Sequence, residues 1–320
     1  MRIGIFDALF SQLSLEDMLE LCVDAGLDAV EIGTGNYPGS RHIDVDALLE
    51  SQQAREAYLR EFRARNLIIS AFSCHGNPIH PNRDLAARHD EVYRKTVRLA
   101  QAMGVPVVCC FSGCPGGGPE DRRPNWVTAA WPPDYPDILN WQWTEVVIPY
   151  WQEFGRFAQD HGVRLAIEMH PGFVVYNPAT LTRLRAEVGP VIGANLDPSH
   201  LYWQGIDPVA AIKSLEGSIY HVHAKDTAID RQNTEVNGVL DTKPYSDVPH
   251  RSWIFRTVGY GHSLLEWRQI VSALRTFGYD YVLSIEHEDA LASINEGFSK
   301  AVAFLREIVL SETPAQAWWV

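Results

Sequence analysis

A single parallel (β/α)8 barrel is the α/β fold that this sequence predicts, and three observations predict it. Eight short apolar runs rich in β-branched residues alternate with longer amphipathic stretches along the whole chain. No shift of composition divides the 320 residues, a length that one large barrel can fill. Ionisable residues cluster at the C-terminal ends of the later runs, where barrels build their sites. A doubly wound sheet is the other arrangement open to such units.

The first run, "RIGIF" from residue 2, leads into "SLEDMLELCVDAG". There Ser14 can cap a helix, Glu16 and Asp17 sit in its first turn, and Gly26 follows as a stop. "AVEIG" from residue 29 precedes "DVDALLESQQAREAYLREFRARN", which reads as one periodic helical stretch. "LIISAFSC" from 67 and "VPVVCCF" from 105 are the third and fourth strands. "RLAIEMH" from 164, "VIGANLD" from 191, "IYHVHAK" from 219 and "VLSIEHE" from 282 complete the eight, and "NEGFSKAVAFLREIVL" is the closing helix. The barrel is expected over residues 1–310, with a tail at 311–320 in which Trp318 and Trp319 are expected to make an oligomer contact. Two connections, 113–142 after the fourth strand and 227–262 after the seventh, are too long for turns and are expected to wall or cover the site.

With 46% hydrophobic and 21% charged residues, the chain has the composition of a soluble globular protein with a large core. A net charge of -13 repels polyanions, which argues against binding nucleic acid or an anionic membrane surface. No apolar run is long enough to span a bilayer, and "MRIGIFDALF" does not resemble a signal peptide, so a cytoplasmic location is expected. Cys22, Cys74, Cys109, Cys110 and Cys114 are an odd, scattered set that suits reduced thiols.

Side chains alternate along a strand, so Glu168 shares a face with His170, and Asn195 with Asp197 and Ser199. By the same rule His221, His223 and Lys225 point one way, as do Ser284, Glu286 and Glu288. Any one of these is accounted for by solvent or a basic partner. Four consecutive strands aiming ionisable groups at one mouth need more, because adjacent buried carboxylates repel unless a cation lies between them. Glu168, Asp197, His223 and Glu286 form an oxygen-rich set with one imidazole, suited to Mn²⁺ or Mg²⁺ and tolerant of Co²⁺ or Zn²⁺.

At these residues the chain resembles the xylose isomerase-like TIM barrel superfamily of sugar isomerases and epimerases. The resemblance spans nearly the whole chain and rests on "AIEMHPG", "NLDPSH", "HVHAKD" and "LSIEHED". It implies one divalent metal ion, Mn²⁺ foremost, on Glu168, Asp197, His223 and Glu286. It also implies that Glu168 and Glu286 are the acid and base, removing a proton beside a carbonyl while the metal stabilises the enediolate. His200 matches a substrate-contacting histidine. The arginine that ketose epimerases place six positions after the metal histidine is absent, since residue 229 is Ile; Arg231 or Arg256 from the insertion could take its place.

The substrate expected is a small non-phosphorylated sugar, cyclitol or keto-glycoside, because the loops after the last two strands carry no glycine-rich phosphate cradle. Isomerisation or epimerisation is the leading expectation. The alternative is β-elimination from a 3-keto-glycoside, as in the resembling alpha subunits of C-glycoside deglycosidases, with a homo-oligomer or a small partner subunit as the assembly. Trp126, Trp131, Trp141, Trp143 and Trp253 could stack on a sugar or aglycone, and loop packing explains each as well. Lys225 either polarises a substrate oxygen or pairs with Asp226, the plainer reading, and His75 is a further candidate for substrate contact or loop capping. His287 points away from the barrel and reads as structural. Endonuclease IV-type repair enzymes share the fold, but the fourth strand ends in "VVCCFSG" without the histidine that their zinc cluster needs, and no Asp-x-His follows the seventh.

Overall fold

Valine, isoleucine and leucine alternate with small or polar residues in each run, and this period of two lets one strand face fill a barrel while the other meets helices. The computed structural model describes residues 1–315 and contains ten strands. They are β1 (Arg2–Phe6), β2 (Ala29–Gly33), β3 (Ile68–Ser73), β4 (Val107–Phe111), β5 (Arg164–Glu168), β6 (Ile192–Leu196), β7 (Ile219–Ala224), β8 (Asp226–Ile229), β9 (Trp253–Arg256) and β10 (Val282–Ile285). All but β8 and β9 close into one barrel in the order β1-β10-β7-β6-β5-β4-β3-β2, through parallel pairs. The expected single (β/α)8 barrel is therefore the fold.

Local chemistry sets the helix ends. Ser14 Oγ accepts from the Asp17 amide at 3.1 Å and starts the helix Leu15–Asp24, after which Gly26 takes φ 60°. The stretch expected as one helix from residue 44 is two, Val45–Glu50 and Gln52–Arg63. Ser51 lies between them in extended backbone, and its Oγ accepts from the Ala54 amide, so a local side-chain bond ends one helix and caps the next. The closing helix, Ile294–Ile308, is capped by Ser293.

Of the first long connection only the part up to Pro133 is irregular. From Asp134 the chain is helical to Asp160, through a π-helical turn at Gln142–Val147. The second connection carries structure of its own. β8 and β9 pair as an antiparallel ribbon, with Thr227 opposite Phe255 and Ile229 opposite Trp253.

Asp226 anchors that ribbon to the barrel. Its Oδ2 accepts from the amides of Gly259, Gly261 and His262 and from Trp267 Nε1, at 3.0–3.1 Å, while His262 Nδ1 lies 2.7 Å from Oδ1. Each donor left unpaired in a buried setting costs roughly 1–3 kcal/mol. Asp226→Ala is therefore expected to lower unfolding stability by about 4 kcal/mol, measured by urea denaturation. A loss under about 0.5 kcal/mol, the range of ordinary surface substitutions, would refute the anchoring role.

All five cysteines are buried and free. Burial pushes the Cys22 and Cys114 thiols up to about 12, consistent with inert packing residues rather than ligands or nucleophiles. Among the described residues no helix is long and apolar enough to cross a membrane. Trp318 and Trp319, expected at an oligomer contact, lie outside the described residues.

Candidate metal centre

Parallel pairing brings the C-terminal ends of β5, β6, β7 and β10 to one mouth. Glu168 ends β5, Asp197 follows β6, His223 lies on β7 and Glu286 directly follows β10. One ligand atom from each of the four lies within 4.8 Å of the others. Asp197 also caps the short helix Pro198–Tyr202 by accepting from the Ser199 amide at 2.8 Å, so β6 has already ended there and Ser199 belongs to that helix.

Three of the four are buried, while the Glu286 side chain keeps 19% of its exposure and opens to a cavity. His223 Nδ1 stands 2.8 Å from Glu286 Oε2 and 3.4 Å from Glu168 Oε2. His75 Nε2 is 2.9 Å from Glu168 Oε2, and His200 Nε2 is 3.3 Å from its other oxygen and 3.4 Å from Asp197 Oδ2. Burial alone would raise the Glu168 carboxyl, but His200, His223 and His75 hold it well below the ordinary carboxylate range. Burial would likewise raise Glu286, and Lys225 and His223 hold it low. Both carboxylates are thus ionised at neutral pH.

The donor set fits a divalent cation. Asp197 Oδ2, His75 Nε2 and His200 Nε2 are buried and, despite these short distances, make no hydrogen bond with an acceptable angle. Orphaned atoms of this kind around three carboxylates call for a ligand. Lys225 also enters the cluster. Its Nζ lies 3.1 Å from Asp197, 2.9 Å from Glu286 and 3.0 Å from Glu288. The expected pair with Asp226 does not form, because successive residues face opposite ways: Lys225 enters the mouth while Asp226 turns to the ribbon anchor.

The cavity beside the cluster measures about 420 Å³. Phe6, Tyr37, Phe111 and Phe173 form its apolar wall, and Glu168, Glu286, His75, His170 and Lys225 its polar end. A larger groove of about 930 Å³ runs outside the barrel along His42 and Tyr58 and holds none of the mouth carboxylates.

The sequence pattern of the family described as "Xylose isomerase-like TIM barrel" matches residues 19–308. The chain belongs to the xylose isomerase-like TIM barrel family. It is 39% identical over 312 residues to the uncharacterized protein YfiH of Bacillus subtilis, covering 97% of this chain and 99% of that one. It is 22% identical over 311 residues to inosose dehydratase 2 of Bacillus cereus, covering 92% and 91%. Among solved structures it superposes on L-ribulose 3-epimerase with a TM-score of 0.60 at 19% identity, covering 96% and 93%.

Within this xylose isomerase-like barrel, several residues singled out from the sequence stand elsewhere than expected. Arg256 does not line the cavity: its Nε lies 3.1 Å from both oxygens of Asp289 and its guanidinium covers Tyr260, so the ribbon turns it away from the mouth. His200 is 1% exposed and sits within the carboxylate cluster rather than on the cavity wall. His170 does line the cavity, with its ring centroid 4.1 Å from that of His200. Burial and His200 push it down to about 3, so it stays neutral. His287 is outside the mouth, packed near Thr257 and Gly297.

None of the five tryptophans lines the cavity. Trp143 is buried under the guanidinium of Arg183, Trp126 packs on Tyr176, Trp131 is 76% exposed, and Trp253 stacks on Trp203 at 4.5 Å. Nor does any residue of 113–142 or 227–262 line the wall; from the second connection Phe255 packs behind it, meeting His200 edge-on at 5.2 Å and lying 4.8 Å from Lys225 Nζ. The aromatic wall was missed because it comes from single aromatic residues, Phe6, Tyr37, Phe111 and Phe173, at four separate strand ends and loops. Glu31 on β2 was missed although a carboxylate in the apolar run "AVEIG" is the same signal that marked Glu168.

Proposed function

We propose that this chain is a divalent-metal-dependent enzyme that removes a proton beside the carbonyl of a non-phosphorylated sugar, cyclitol or keto-glycoside, with isomerisation or epimerisation as the outcome. The observation that carries the reading is that two ionised carboxylates, Glu168 and Glu286, flank one imidazole at the polar end of an apolar cavity. A divalent cation held by Glu168, Asp197, His223 and Glu286 would supply Lewis-acid polarisation of the carbonyl, and Mn²⁺ suits the set, with Mg²⁺, Co²⁺ and Zn²⁺ also accommodated.

The residues divide the remaining work. One glutamate takes the α-proton and the other serves the opposite face. His75, whose Nε2 lies 2.9 Å from Glu168 Oε2, lines the cavity beside that carboxylate and supplies positive character next to it. Phe6, Tyr37, Phe111 and Phe173 exclude water from one side of the cavity. Among the described residues Lys225 is the one lysine or arginine on the wall, and three carboxylates already neutralise it, which argues against a phosphate group on the substrate.

The full-length likeness to an inosose dehydratase favours a second reading, in which the same proton abstraction expels a β-leaving group. One experiment separates them: Mn²⁺-loaded protein in D₂O with ketoses, inososes and 3-keto-glycosides, followed by NMR. Deuterium beside the carbonyl of an isomer or epimer is the expected result, while loss of water or an aglycone would assign elimination. Equal, background-level exchange by wild type and Glu286→Gln across the panel would count against both.

A further inference from the structure

Glu31 sits fully buried at the middle of β2 and takes no part in the reading above. Strands from three directions supply its partners. Ser284 on β10 donates to Oε2 at 2.7 Å, Ser73 on β3 donates to Oε1, and His223 Nε2 on β7 lies 3.2 Å from both oxygens. An ionised carboxylate this deep is tolerated only when its acceptor sites are filled by donors.

The two nitrogens of His223 face opposite ways. Nδ1 looks up to Glu286 and Glu168, and Nε2 looks down to Glu31. Asn195 Nδ2 also lies 3.1 Å from Nε2, but an amide nitrogen is a donor and gives an Nε2–H no acceptor. The amide oxygen of Asn195 faces His221 Nδ1 at 3.2 Å instead. Glu31 is therefore the acceptor for a proton on Nε2, and a ring protonated there keeps the Nδ1 lone pair free.

We propose that Glu31 is a positioning residue that holds His223 as the Nε2–H tautomer, leaving Nδ1 as the atom that ligates the divalent cation. The inference rests on the metal reading above and adds to it the carboxylate that orients the single imidazole ligand. The same geometry argues against Glu31, His221 and His223 acting as a separate cation site. The Glu31 oxygens already accept from two hydroxyls, and His223 cannot offer both nitrogens while one carries a proton.

Two measurements test it. In wild-type protein labelled with ¹⁵N-histidine and loaded with Zn²⁺, long-range ¹H–¹⁵N spectra are expected to show one histidine with a metal-bound Nδ1 and a protonated Nε2. A His223 bound through Nε2 would overturn the proposal without any variant having to fold. In titrations of metal-free protein followed by the EPR signal of free Mn²⁺, Glu31→Gln is expected to bind 10- to 100-fold more weakly than wild type. Ser284→Ala, which keeps the carboxylate, is expected to lose less. Affinity within twofold of wild type in a folded Glu31→Gln protein would remove Glu31 from the role while leaving the metal site standing. Wild-type protein that binds no Mn²⁺, or binds it as well after Asp197→Asn, would remove the metal reading itself.

Discussion

Glu286→Gln protein loaded with Mn²⁺ is expected to release the α-hydrogen of its substrate roughly 10²- to 10⁴-fold more slowly than wild type, the range that a positioned general base contributes. Glutamine keeps the size of the side chain and one carbonyl oxygen but cannot take the proton. Glu168→Gln is expected to be as damaging to net turnover. The two variants should differ in which half-reaction survives, because each glutamate serves one face. With a given epimer as substrate, one variant should still wash deuterium into the α-position without forming the other epimer, and with the opposite epimer the roles should exchange. Metal content measured alongside the rates separates lost chemistry from lost binding, since both glutamates are also ligand candidates. Wild-type exchange rates in both variants would sink the acid and base assignment.

Lys225→Met is expected to lower stability substantially. Lys225 is 1% exposed, and burial alone would lower its ammonium, but Asp197, Glu286 and Glu288 hold it well above the ordinary value. Glu288 is half exposed and contributes little; Asp197 and Glu286 are the partners that matter. Removing one member of a buried ion pair leaves uncompensated charge and typically costs about 3–5 kcal/mol. For a chain of this size the metal-free protein should melt about 5–7 °C lower. Mn²⁺ should recover more stability in Lys225→Met than in wild type, because the cation no longer competes with an ammonium for Asp197 and Glu286. Differential scanning calorimetry with EDTA and with excess Mn²⁺ checks both parts. Unchanged melting in EDTA would mean that Lys225 is not the counter-ion of the cluster.

The barrel was legible in the sequence because its signals are local. Period-two runs such as "RIGIF" and "RLAIE", caps such as Ser14 and Ser293, and stops such as Gly26 act within a few residues, and a parallel closed sheet follows from their repetition. One local signal was misread: Ser51 looks like an ordinary polar helix position, and only its bond to Ala54 shows that it ends one helix and begins another.

The candidate site divides along the same line. Glu168, Asp197, His223 and Glu286 were readable by strand parity, because alternation decides which way a side chain points and the strand end decides that it reaches the mouth. What those groups meet was not readable. Lys225 turned to Asp197 and Glu286 rather than to its neighbour Asp226, Arg256 was taken by Asp289, and the five tryptophans stayed off the cavity while other aromatic residues from distant segments lined it. Glu31 comes within 3.2 Å of His223 across 192 residues of chain. The sequence by itself determined the strands, their inward faces and the ionisable groups at their ends, since these follow from backbone periodicity. The tertiary structure alone decided the partners of each charge, since the energy of a buried charge depends on groups brought near it by closure of the barrel, and no local pattern records them.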